Sequence, residues 1–331
     1  MRRSPALGLG LLAASCASPP GEGFLVALDT TGELEVVGSS GLPDDPEPEP
    51  PEVKLDVAPD EVLGCRKIDF LFVIDDSESM LDEQQLLIDG FPGFMEEIRQ
   101  TIEGFDFHVM VVSTGAQTMS FDPCENHLGA GRVRSGTGED CGLLEDVLHG
   151  QRYLDGDHPD LEGAFSCIAD VGNDGAGDEK IIWSMADAIT EQTHPGMCNE
   201  GFLRKDAILV VTIITDEEDS PYDQPPGGDY DDNSPGDPVA WTAGLTATMY
   251  DDPEAVVLLA LVGDSDLEDG LCEPYVYPDG DGAEPALRIR EFVESFPYGS
   301  WASVCQTNYA DFFIEAVADI DASCGGFQPP G

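Results

Sequence analysis

A chain of 331 residues, 41% of them apolar, can bury one large hydrophobic core or two smaller ones. Its 67 acidic and 14 basic side chains leave a formal net charge of -53. Repulsion on that scale argues against binding nucleic acid or an anionic membrane surface and makes cations the natural partners. Counterions, bound metal or salt must screen such a chain for it to stay compact, and its few lysines, Lys54, Lys67, Lys180 and Lys205, fit adaptation to salt.

In chain order, "MRRSPALGLGLLAAS" places two arginines before a short apolar segment, too brief to span a bilayer, and then small residues. This reads as an export signal over residues 1–15. The adjoining run "LLAASC" resembles the lipobox of bacterial lipoproteins, which implies lipidation of Cys16; the alternative is an ordinary secretory signal cleaved nearby. Ala17 after that cysteine, where aspartate is absent, resembles a sorting signal for the outer membrane. Membrane contact is then expected only through the lipid anchor. Residues 16–64 read as a lipidated N-terminus and linker, because "GLPDDPEPEPPE" from Gly41 is dense in proline and acid with nothing to bury. A dozen extended residues at ~3.1 Å each would hold the globular domain roughly 35 Å from its anchor.

From Cys65 to about residue 325 apolar runs alternate with amphipathic ones. "IDFLFVI" (68–74), "FHVMVVS" (107–113), "AILVVTIIT" (207–215) and "AVVLLALVG" (255–263) have the continuous apolar character of strands buried on both faces of a parallel sheet. Helices are expected over 80–102, with Pro92 as a kink or break, and over 179–192, 238–250, 285–296 and 308–321. The alternation predicts an α/β fold: a doubly wound, mostly parallel central sheet with helices on both faces. The interval 114–177 is too long for a single connection. It carries Cys124, Cys141 and Cys167 with many glycines, and reads as an irregular insertion stapled by disulfides. Without Cys16, eight cysteines remain, enough for four disulfides in an exported protein, with the pairing open. Residues 326–331 read as a tail.

Chemistry concentrates where "FLFVI" runs into "DDSES". In an open α/β sheet, ligands sit beyond the carboxyl ends of the strands, near the point where strand order reverses. Asp75 comes directly after one predicted central strand and Asp216 after another, so both belong to one rim. At roughly 5 Å and an effective dielectric near 20, two carboxylates repel by about 3 kcal/mol, which calls for a positive charge between them. Carboxylates with the hydroxyls of Ser77 and Ser79 suit a hard cation, Mg2+ or Ca2+. The alternate spacing of Asp75, Ser77 and Ser79 lets one turn aim three side chains at one point.

Asp75-Asp76-Ser77-Glu78-Ser79 matches the D-x-S-x-S motif of von Willebrand factor type A domains, and "TDEED" (215–219) resembles the later loop that carries that family's distal aspartate, here Asp216. The resemblance spans roughly Cys65 to Cys324. It implies a metal ion dependent adhesion site held by Asp75, Ser77, Ser79 and Asp216, with an open coordination position for a carboxylate from a protein ligand. The family commonly supplies a threonine before the next helix; here Glu179 stands nearest, with Thr114 and Thr118 in an earlier loop as further candidates. The arrangement resembles the cysteine-bearing, lipid-anchored type A domains in the envelopes of some Gram-negative bacteria, which implies a protein-binding module and no catalyst.

Two other functions compete with that reading. A metal-assisted hydrolase using the same carboxylates needs a general base and a concave pocket, and no G-x-S-x-G elbow or clustered histidine supplies one. A structural envelope protein with a vestigial site needs only the acidity. "DSDLED" (264–269) and "PDGDGAE" (278–284) faintly resemble calcium loops but lack the EF-hand order of ligands.

Overall fold

The computed structural model describes residues 65–330 apart from 103, 116–121, 144–149, 174, 176–178, 220–233 and 277–281. The export signal, Cys16, the acidic linker, Thr118 and most of the acidic segment after Asp219 lie outside the described residues, as do residues 278–281 of the second calcium-like run.

Among the described residues six strands form one sheet in the order β3-β2-β1-β4-β5-β6. β1 (Lys67–Ile74), β2 (Asp106–Ser113), β4 (Ile208–Ile214), β5 (Val256–Val262) and β6 (Tyr298–Ser303) run parallel, and the two-residue β3 (Leu154–Asp155) is antiparallel to β2. Parallel strands covered on both faces must be apolar throughout, and every residue of β4 and β5 is buried, as is all of β1 after Lys67. The strand order reverses between β1 and β4. Their register pairs Ile74 with Ile214, Ile74 with Ser113 across β2, and Ile214 with Leu261 across β5, so four strands end at one level.

The helices form two packed groups. α1 (Leu81–Thr101) contacts α2 (Leu161–Ala169) and α6 (Ala310–Gly326), while α4 (Pro238–Thr248) contacts both α3 (Ile181–Ile189) and α5 (Leu287–Glu294). α1 buries Gln84, Leu87, Phe91, Phe94, Met95 and Ile98, a stripe at helical spacing. Aromatic rings join this stripe to the sheet: Phe72 packs edge-on against Phe91 and Phe165, which stack on each other with centroids 3.5 Å apart, and Phe70 meets Phe94 edge-on at 5.8 Å.

Among the described residues four disulfides close the fold: Cys65–Cys324, Cys124–Cys198, Cys141–Cys167 and Cys272–Cys305. They mark a chain suited to an oxidising compartment. Among the described residues no helix is long and apolar enough to cross a membrane.

Several expectations need correction. Pro92 neither ends nor divides the helix predicted around it, since α1 continues from Leu81 to Thr101 through that residue. The buried aromatic stripe on both sides of Pro92 outweighs the loss of one backbone hydrogen bond. The helix expected over 179–192 is α3 from Ile181, ended at Thr190 and succeeded by a separate 3-10 turn, Glu191–Thr193. The insertion expected to be irregular contains α2 and β3. β6, "YGSWAS", is absent from the predicted strands; it is a half-exposed edge strand without an apolar run.

Candidate functional site at the sheet rim

Asp75 is the first residue beyond β1, and its amide still donates to Ile214 O at 3.0 Å, so the sheet ladder fixes its position at the switch point. Asp75 Oδ1 accepts from Ser77 N at 2.8 Å, the tight turn that two residues of spacing predict, and Oδ2 accepts from Thr215 Oγ1 at 2.6 Å. The Ser77 and Ser79 hydroxyls lie 3.1 Å apart. Asp216 leaves the neighbouring β4, its carbonyl held by Glu284 N at 2.8 Å, and the Ser79 side chain is near enough to oppose the rise of its carboxyl. Asp75, Ser77, Ser79 and Asp216 are therefore drawn together from two strand ends.

Glu179, in the segment before α3, faces the first loop and feels the charges of Asp75 and Asp76. Its Oε2 accepts from Thr114 Oγ1, and Thr114 Oγ1 is also 3.3 Å from Asp76 Oδ1. Of the two threonines considered beside Glu179, Thr114 is thus its hydrogen-bond partner. The Glu179 segment runs hard against the first loop: Gly175 N donates to Asp76 O at 2.9 Å, and a Cβ at Gly175 would collide with Asp76. Gln84 Nε2 reinforces the contact by donating to Asp75 O at 3.1 Å and Gly172 O at 2.9 Å.

These carboxylates are buried. Asp75 is 0% exposed, and Asp216 and Glu179 are each 3% exposed. Burial pushes the Asp75 carboxyl up to about 7, and the Asp216 charge adds to this while bonds from Thr215 and Ser77 oppose it. Burial pushes Glu179 up to about 10, with the Asp75 charge as the next cause. Asp216 rises to about 6, again through burial, against the nearby Ser79 side chain and with the Glu83 charge. Asp216 Oδ1 and Glu179 Oε1 are buried and accept no hydrogen bond from any described residue. A buried carboxylate oxygen without a donor is costly.

By type the donors at the two strand ends suit a hard cation: the Asp75 and Asp216 carboxylates and two adjacent hydroxyls, with no thiol or imidazole among them. The set relies on serines, and among the described residues no three His, Cys, Asp or Glu side chains stand together as a metal-binding group.

Three residues escaped the sequence reading. Glu83, about one turn beyond Ser79, bears on both Asp75 and Asp216 electrostatically and has its own buried, unpartnered Oε2. Glu218 accepts from Arg288 N at 2.7 Å, and Asp219 from Ile182 N at 2.8 Å, so each caps a helix to which it is not local. The acidic run "TDEED" announced carboxylates but not these separate duties. No signal in the sequence assigns them, because both capped helices lack a capping side chain of their own at Lys180 and Ala286.

The calcium-like run after β5 is otherwise occupied. Asp264 accepts from Leu271 N and Cys272 N at 2.9 and 2.8 Å, and both oxygens of Asp266 lie 2.7 Å from Arg290 Nη2. The five histidines are scattered in sequence; His108 bonds the Phe202 carbonyl at 2.8 Å.

No family model and no curated protein matches the chain. Among solved structures, proximal thread matrix protein 1 from the mussel byssus is 14% identical with a TM-score of 0.39, covering 78% of this chain and 49% of its own. The pilus adhesin RrgA from Streptococcus pneumoniae is 12% identical with a TM-score of 0.22, covering 65% of this chain and 26% of its own. The chain thus spans about half the length of the mussel protein.

Proposed function

We propose that the chain is a divalent-metal-dependent protein-binding module of the von Willebrand factor type A kind, doubly wound, displayed on a bacterial envelope and without catalytic activity. Asp75, Ser77 and Ser79 hold one Mg2+ or Ca2+, Asp216 acts directly or through water, and Glu179 contributes from the third segment. When bound, the ion supplies positive charge and an open coordination position for a carboxylate of a protein partner. The chain's own residues orient that position: Thr215 and the Ser77 amide fix the Asp75 carboxylate, and Thr114 fixes Glu179.

One observation carries the reading. Asp216 Oδ1 and Glu179 Oε1 are buried without a hydrogen-bond donor, beside paired serine hydroxyls, at the point where strand order reverses. Calorimetric titration of the metal-stripped full chain with MgCl2, and separately CaCl2, tests it. One saturable site is expected for wild type, and none after Asp75→Ala combined with Ser77→Ala. Absence of saturable heat from wild type with either cation rejects the reading.

Display on the outer membrane through lipid on Cys16 is the companion proposal. Incorporation of labelled palmitate should be lost on Cys16→Ser; labelling that survives removes the anchor.

A further inference from the structure

We propose that Asp219 is a positioning residue for the ion, tying the loop that carries Asp216 to the helix just after Glu179. The inference rests on the metal reading above and adds a residue that binds no metal itself. Asp219 is 0% exposed and three residues beyond Asp216. Both its oxygens are engaged: Oδ2 accepts from Ile182 N at 2.8 Å and from Ser234 Oγ at 2.6 Å, and Oδ1 accepts from Ser234 N at 3.0 Å. Ser234 Oγ in turn accepts from Trp183 N at 2.7 Å. The first-turn amides of α3, which Lys180 leaves uncapped, are thus satisfied by residues of the β4 loop and Ser234.

The tie has a geometric consequence. Ile182 lies three residues after Glu179, and Asp219 three residues after Asp216. Each arm spans at most about 10 Å of extended chain, so the Asp219–Ile182 bond ties the two segments directly and bounds how far Glu179 and Asp216 can separate. The other end of the Glu179 segment is already strapped to the first loop through Gln84 and Gly175. Without Asp219, Glu179 keeps its ties to the Asp75 side and loses its direct tie to the loop that carries Asp216. A helix cap with no other role predicts a loss of stability and no more.

A double-mutant cycle separates the two. Mg2+ affinity of the full chain is measured by calorimetry for wild type, Asp219→Asn, Glu179→Gln and the double variant. Asp264→Asn serves as the control, because Asp264 is also buried and also accepts from two backbone amides, but after β5. Asp219→Asn should weaken Mg2+ about 10-fold or more, in the range of orienting residues around metals, and Asp264→Asn should leave affinity unchanged. In the Glu179→Gln background the Asp219 effect should shrink to less than about 2-fold, because the residue acts through that segment. If Asp219→Asn fails to give a cooperative melt, Ser234→Ala, which removes one donor and keeps the carboxylate, takes its place with a loss of about 3-fold. Asp219 and Asp264 variants that alter affinity alike, or an Asp219 effect undiminished without Glu179, overturn the proposal. Wild type that binds Mg2+ while both Asp219→Asn and Ser234→Ala bind it equally well overturns this inference alone, whereas wild type that binds none overturns the metal reading with it.

Discussion

Two acid-rich regions stand at the same rim of the sheet, and they are chemically opposite. After β1 and β4 and before α3, buried carboxylates lie near one another and the Asp216 Oδ1 and Glu179 Oε1 oxygens lack a donor; after β5, Asp264 and Asp266 are satisfied by two amides and by Arg290. Burial raises Asp75, Asp216 and Glu179 above the ordinary carboxylate range. In a chain with a net charge of -53, acidity alone therefore says little about a site. Acid that is buried and left without donors from the chain says much more, because burying a charged group without a partner is costly.

Substitutions at the two loops should separate along that line. The largest effect is expected for Asp216→Ala, which should weaken Mg2+ by about 100-fold or more, beyond what orienting residues typically cost, with calorimetry as the readout. Asp264→Ala should instead leave Mg2+ affinity unchanged and lower stability by about 1–3 kcal/mol in chemical denaturation, because it strands the buried Cys272 amide and the part-buried Leu271 amide. Glu179→Ala should cost roughly 10-fold in affinity, and an unchanged constant would remove Glu179 from the ligand set.

The smallest and most graded effect is on pH. For Asp75, Asp216 and Glu179 the folded-state pKa lies above the unfolded one, so the folded chain binds more protons between the two values. Stability is full below about pH 4 and is lost as pH rises through about 6 to 7 for Asp216 and Asp75, and further towards 10 for Glu179. In EDTA the melting temperature should fall from pH 4 to pH 7.5, and saturating Mg2+ should flatten that fall. A melting temperature that rises over this window in EDTA would contradict the assignment.

Much of this was legible in sequence because it depends on local pattern. Four unbroken apolar runs could only be strands covered on both faces, and strand ends carry Asp75 and Asp216 to one rim once β1 and β4 are neighbours. The Asp75, Ser77, Ser79 spacing foretold the turn that Ser77 N closes onto Asp75 Oδ1. What depends on distant partners was not legible. β6 is a strand because β5 offers an edge, with Tyr298 and Trp301 only half-buried. α1 passes through Pro92 because Phe91 and Phe94 pack on Phe72, Phe165 and Phe70. Glu218 and Asp219 cap helices 70 and 37 residues away in sequence, a distance no local rule spans.

The most direct test is a crystal structure of the full chain with MnCl2, read in an anomalous difference map. One strong peak among Asp75, Ser77, Ser79 and Asp216, and none on the 264–272 loop, is the predicted result. A peak on the 264–272 loop, or none at the β1–β4 rim under saturating Mn2+, would contradict the account.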